Sequence, residues 1–135
     1  MRLRCTRRET GREERTLMQR ELVEEIEREI VRLRRRYAAA AREWPGAQEA
    51  ITRWVAEVAG LCWFVPLEDV VESDIDVEIL SEVVIVRANR TWPEPAVLVG
   101  ILPVPHGFDS GRVVIRFTEQ TLEVHVRRVH HGVRP

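Results

Sequence analysis

The residues of this chain with the means to do chemistry are four histidines, two cysteines and a set of carboxylates, and their spacing decides what they can do together. His106, His125, His130 and His131 invite a metal reading. A zinc centre needs four N, S or O donors converging on one point. The adjacent tail pair has no Cys or carboxylate at ligand spacing, and His125 and His131 would meet only through a chain reversal, so no metal centre is expected. Cys62 lies between Leu61 and Trp63, apolar surroundings that raise a thiol pKa and argue against a thiolate nucleophile. No Ser, His and Asp stand in an arrangement with motif support for acyl transfer. Asp74, Asp76 and Glu78 alternate along one strand-like segment. Carboxylates at that period stand about 7 Å apart and cannot converge on one cation, so they read as a solvated outer face.

The basic residues narrow the chemistry further. All 21 are Arg, with no Lys, so Schiff-base catalysis and Walker-type phosphate loops are excluded. Arg32, Arg34, Arg35 and Arg36 form the densest cluster, but only Tyr37 supplies an aromatic beside it. The cluster reads as a solvated helix face paired with nearby Glu, not as a nucleic-acid contact. The same face is a candidate to complement the acidic segment at 74–78, in one chain or between two. The expectation is a protein that is not an enzyme, holds no cofactor and no metal, and acts through its surfaces.

A length of 135 residues makes one domain with an appendage. A hydrophobic fraction of 44% fills a modest core, and 32% charged residues dress its surface, with a net charge of −1. Residues 1–66 carry fourteen Arg against eleven acids and residues 67–135 seven against eleven, a +3/−4 asymmetry that can steer association of the halves. Cys5 and Cys62 do not make a disulfide scaffold. The basic N-terminus has no apolar stretch after it, and no apolar run approaches the roughly 20 residues of a membrane span. A cytoplasmic protein with no membrane partner is expected.

Residues 1–15 read as a frayed basic leader. From Thr16 to about Trp44, Val23, Ile26, Ile30, Leu33, Tyr37, Ala40 and Trp44 recur at the three-and-four spacing of a heptad seam. Pro45-Gly46 stops that helix. Ala47, Ile51, Trp54, Val58 and Leu61 repeat the stripe, so 16–62 is expected to be a helical arm of two helices hinged at 45–46. The seam Val23, Ile26, Ile30, Leu33 and Tyr37 serves either packing on the second helix or sheet, or self-association between chains. From Trp63 the period changes to two. Ile75, Val77 and Ile79 alternate with acids, Ser81-Glu82 is a tight turn, and VVIVRAN returns as a central strand. Thr91–Pro95 is a loop. Three more runs follow at 97–102, 113–117 and 122–126, then a tail at 129–135. The fold class is α+β by chain order, a helical hairpin followed by an all-β antiparallel sandwich.

Several segments then resemble one known family. WFVPLEDVVESD at 63–74 is similar to the W-x-P-x-x-D-x-x-E-[ST]-D lead-in of the alpha-crystallin domain of small heat shock proteins. IDVEILSEVVIVRANR at 75–90 resembles that domain's "ieVev…LvIrAeR" hairpin. Leu102-Pro103 stands where the family has Leu-Pro, Phe108-Asp109 resembles its following "vd", and LEVHV at 122–126 resembles its last strand. The match covers about 63–128 in register. Departures are specific: Glu119 and Gln120 stand at the family's Asn-Gly, Leu98 stands where many members have Arg, and the "velPGv" segment is missing. The Arg90–Ala96 loop is too short for the strand that bacterial members exchange, and the tail lacks Ile-x-Ile/Val.

The resemblance implies an ATP-independent holdase chaperone of the stress response, a homo-oligomer (a dimer or small assembly) that binds unfolded or partly folded proteins. The residues are compatible, since a holdase needs apolar surface beside solubilising charge. Candidate client or partner contacts are Trp44, Trp54, Trp63, Trp92, Val97 and Val99, at the aromatic arm, a sheet edge able to capture an extended peptide, and an exposed loop. The alternative is a non-chaperone adaptor that self-associates or binds one dedicated partner through the arm and sheet edge.

Overall fold

The computed structural model describes residues 20–129. Helical residues 20–36 form α1, which a turn at Tyr37 separates from the short α2, Ala38–Ala41. Eight strands follow among the described residues: β1 (Ala47–Glu49), β2 (Arg53–Glu57), β3 (Gly60–Pro66), β4 (Ile75–Ile79), β5 (Val83–Arg90), β6 (Ala96–Pro103), β7 (Phe108–Thr118) and β8 (Thr121–Arg128). They make two four-stranded sheets, A in the order β1-β6-β5-β4 and B in the order β2-β3-β8-β7. All pairings are antiparallel except β1 on β6, where Ala47 lies opposite Val97. The leader at 1–15, the first turn of the expected helix at 16–19, and tail residues 130–135 with His130 and His131 lie outside the described residues.

Alternation explains the sandwich. Leu61, Trp63 and Val65 on β3, Leu122, Val124 and Val126 on β8, and Val84, Val86 and Ala88 on β5 turn inward and form the core between the sheets. Trp63 is 1% exposed, and its indole N–H donates to the carbonyl of Pro103 at 3.1 Å, so its one polar atom is satisfied inside. β5 is buried on its other face as well. Val83 and Ile85, with Val99 and Ile101 of β6, form a second apolar cluster on the outside of sheet A. That double burial is why VVIVRAN reads as an unbroken apolar run.

The second helix of the expected arm is not formed. Residues 47–62 supply β1, β2 and the start of β3. Ile51 and Val58 of the supposed stripe are exposed, Val58 fully, while Trp54 and Leu61 face the core as strand residues. The segment is rich in β-branched and aromatic side chains, and its apolar positions fit a period of two once Gly60 is recognised as the hairpin end. A side chain at Gly60 would run into the backbone carbonyl of Val126, so the close approach of β3 to β8 requires glycine there. The Pro45-Gly46 stop holds, with Gly46 at φ +77°. The sandwich therefore begins at 47, not 63, and the helical arm is α1 and α2 alone.

Candidate interaction surfaces

The arm lies on its own sandwich. Ile26, Ile30 and Leu33 are buried, Val23 and Tyr37 half-buried, and Ile26 and Ile30 join the inter-sheet core. Beyond the turn, Tyr37, Ala40, Ala41 and Trp44 cover the apolar outside of sheet A, together with Ala47, Leu80 and Val97. The heptad-like seam thus meets the sheets within one chain. The turn at Tyr37 lets the stripe pass from the end of the sandwich onto its face.

Polar contacts fasten this cover. Glu82, in the β4–β5 turn, accepts from Arg36 Nη1 at 3.0 and 3.2 Å and from the Tyr37 hydroxyl at 2.9 Å. The Tyr37 hydrogen bond, then that of Arg36, holds the Glu82 carboxyl below the usual carboxylate range, and the same Glu82 contact, with burial, raises the Tyr37 phenol. Arg87 stacks over Trp44 at 5.0 Å while pairing with Asp76 at 2.7 Å. Arg34 reaches inward, donating to Thr52 at 2.9 Å and standing over the Trp63 ring at 5.5 Å. Arg32 pairs with Glu29 on its own helix. The basic cluster is therefore partly a docking device, and the acidic strand meets Arg87 of β5 instead of the helix.

The cover leaves the sheet edges. β1 and β2 are joined by residues 50–52 and share one side of the sandwich, so β4 and β7, the other edges, share the opposite side. Along it Ile75, Val77 and Ile79 of β4 and Val113, Ile115 and Phe117 of β7 turn toward the core but are only partly covered, with Ile79 and Ile115 exposed. Two edges unpaired among the described residues, flanking a half-covered apolar seam, can accept an extended peptide as an added strand. Val55 and Val114 lie exposed on the outside of sheet B.

The expected contact residues divide. Trp63 and Val99 are corrections: both are fully buried, Trp63 in the inter-sheet core and Val99 beneath the arm. Trp54 and Val97 are half-buried against the two clusters, and Trp44 is the far end of the cover. Trp92 alone stands free, 69% exposed in the 91–95 loop. Sequence spacing missed Val55, Ile79 and Ile115, whose signal was period-two alternation at edge strands, and a grouping of Glu57, Cys62, Glu123 and His125 on the outside of sheet B. Burial, then the Glu57 and Glu123 charges, pushes the Cys62 thiol up to about 12, the direction its apolar neighbours suggest. Among the described residues no helix is long and apolar enough to cross a membrane.

No protein-family model and no curated protein matches the sequence. Solved structures do match in shape. HSP18.5 from E. histolytica superposes with a TM-score of 0.60 at 13% identity, over 64% of this chain and 93% of that one. Heat shock protein 16.0 from Schizosaccharomyces pombe gives 0.56 at 14% identity, over 67% and 76%. A small heat-shock protein from Xylella fastidiosa gives 0.56 at 9% identity, over 64% and 91%. The fold is the alpha-crystallin-like β-sandwich of small heat shock proteins.

Proposed function

From that fold we propose an ATP-independent holdase that binds unfolding proteins through apolar surface and keeps them dispersed. The observation that carries this is the half-covered seam between the β4 and β7 edges, where Ile75, Val77, Ile79, Val113, Ile115 and Phe117 stand beside edges that no described strand pairs. A second store of apolar surface, Val83, Ile85, Val99 and Ile101, lies under the arm and becomes available when the arm lifts. Neither surface needs nucleotide, and no step of the activity is catalytic. The protein acts in the cytoplasm, as a dimer or small homo-oligomer whose clients are partly folded chains.

An adaptor reading is favoured by one feature, Trp92, a lone exposed indole flanked by Thr91 and Pro93. A single rigid aromatic on a short loop suits one dedicated partner better than many clients. The two readings separate in one assay. An unrelated, heat-labile enzyme is warmed with the full chain while light scattering is followed. Suppression at near-stoichiometric ratio that survives Trp92→Ala and is lost in an Ile79→Asp/Ile115→Asp variant supports the holdase. No suppression at large excess sinks it and leaves the adaptor.

A further inference from the structure

On the outside of sheet B the register of three neighbouring strands brings together side chains that are far apart in sequence. Cys62 of β3 lies directly opposite His125 of β8, and β2 pairs with the other side of β3. Glu123 shares the outer face of β8 with His125, two residues away, and Glu57 sits at the end of β2, opposite Gly60. In-register neighbours on one face of a sheet place their Cβ atoms about 5 Å apart. The side-chain tips therefore meet. His125 Nδ1 is 3.0 Å from Glu57 Oε1, its Nε2 is 3.1 Å from Glu123 Oε1, and Cys62 Sγ is 3.6 Å from the same Nε2. One ligand atom each from Glu57, Cys62 and His125 lies within 4.8 Å of the others.

A neutral imidazole has one N–H. A carboxylate oxygen stands at each ring nitrogen, so one can hold an N–H while the other shares a cation with the opposite nitrogen. The geometry points to a binding site for a zinc-class divalent cation, with Glu57, Cys62 and His125 as ligands and Glu123 as the carboxylate that holds the ring's other N–H. Tetrahedral zinc with bonds of about 2.3 Å to sulfur and about 2.0–2.1 Å to nitrogen and oxygen has donor–donor edges of about 3.3–3.6 Å. The donor atoms of Glu57, Cys62 and His125, all within 4.8 Å of one another, need only small side-chain rotations to reach those edges. Metal-bound histidines characteristically donate the remaining N–H to a carboxylate, which fixes the ring and its tautomer. Glu123, 3.1 Å from Nε2, stands in that place.

The donor set selects the ion. One thiolate, one imidazole and one carboxylate suit borderline-soft zinc and exclude the all-oxygen preference of calcium and magnesium. Three protein ligands leave a fourth position for water. A surface pocket of about 460 Å³ beside His125, lined by Glu57, Val58, Gly60, Val114 and Arg127 among others, gives an ion and that water a route in. A thiol binds zinc as the thiolate and gives up its proton to solvent as the sulfur–metal bond forms. The site is independent of the client-binding seam, which lies on the inner side of the opposite edge.

The test uses the full chain carrying Cys5→Ser, His130→Ala and His131→Ala, which removes the other thiol and the tail imidazoles. Titrated with Co²⁺, this protein should develop a thiolate-to-cobalt charge-transfer band and the strong d–d bands of four-coordinate cobalt, at one ion per chain, and Zn²⁺ should abolish both. Adding Cys62→Ser should remove the charge-transfer band, and His125→Ala should weaken Zn²⁺ binding by at least about 100-fold. Glu123→Gln should weaken it about 10–100-fold while keeping the four-coordinate spectrum, as for a carboxylate one step behind the ligand. Circular dichroism and the exposed Glu57→Gln variant, with its own loss of affinity, guard against a folding defect at buried Cys62. A spectrum without a charge-transfer band, or one that persists with Cys62→Ser, overturns the assignment, as does affinity unmoved by His125→Ala.

Discussion

The docking of α1 on its own sandwich is tested at Leu33. Its side chain is 1% exposed at the contact between helix and sheets. Leu33→Ala deletes three buried carbons, a transfer loss of about 2.4 kcal/mol at about 0.8 kcal/mol per buried CH₂. The cavity left behind adds to this, and about 3 kcal/mol is expected, inside the usual span of about 2–5 kcal/mol for such truncations. Val31, two positions earlier, is half exposed and makes the internal control. Val31→Ala should move stability by less than about 0.5 kcal/mol. Urea unfolding, read from tryptophan fluorescence at protein concentrations spanning about 100-fold, measures both. A seam shared between chains would instead make the midpoint climb with concentration and would let Leu33→Ala lower the assembly's mass. A cost below about 0.5 kcal/mol for Leu33→Ala would falsify intrachain docking. Loosening the arm should also raise hydrophobic-dye binding, because Val83, Ile85, Val99 and Ile101 lose their cover.

Two further outcomes follow from the packing and the latch. Gly60→Ala drives a methyl group into the Val126 carbonyl and should cost about 1–3 kcal/mol, or abolish soluble expression, where the same change at exposed Gly111 costs far less. The Glu82 latch should fail in acid but not in mild alkali. A carboxyl held low in the folded state contributes stability above its unfolded pKa and loses it as pH falls through the folded value, whereas the raised Tyr37 phenol keeps its proton beyond the ordinary phenol range. Limited proteolysis between Arg42 and Gly46 should therefore quicken as pH drops from about 7 to about 3, and Glu82→Gln should flatten that dependence. An unchanged acid response in Glu82→Gln would show that another group holds the arm.

The sandwich was legible where side-chain period and burial agree. β4, β5, β6 and β8 match their sequence runs to within a residue or two, because each pairs alternation or a β-branched run with a clear turn. Residues 47–62, which hold β1, β2 and the start of β3, also suit a helix because Ala47, Ile51, Trp54, Val58 and Leu61 fit a period near 3.6, and nothing local says that Ile51 and Val58 face water. Only the partners β6 and β8, about 50 and 65 residues away, decide that segment. The apolar outside of sheet A was hidden for a related reason, since the residues that cover it sit in the arm. The cluster around His125 was invisible because its ligands come from three strands. Ligand spacing in sequence reports a site only when the ligands share a local element, and here the register of β2, β3 and β8 makes the neighbourhood.

The Glu119-Gln120 turn shows how a signature can vanish while its geometry stays. The two-residue β7–β8 connection has φ of +49° and +61°, the left-handed pair that two-residue hairpins demand and that Asn-Gly adopts most cheaply. Two non-glycine residues in that region cost about 1–2 kcal/mol each. Here the surroundings offset the strain. The Gln120 carbonyl accepts from the Leu67 N–H at 2.8 Å, and its side-chain Oε1 accepts from the Asp69 N–H at 3.1 Å. Asp69 is itself left-handed, at φ +60°. A glycine at 120 would relax the turn but leave the Asp69 N–H without that partner, so the turn and the 67–69 segment support each other. With each hydrogen bond worth about 1 kcal/mol net, the exchange is nearly even. Gln120→Gly should accordingly leave overall stability within about 1 kcal/mol while freeing the 67–70 segment, seen as faster amide exchange at Asp69. A large gain in stability with unchanged exchange there would mean that the turn is merely strained and that Gln120 supports nothing.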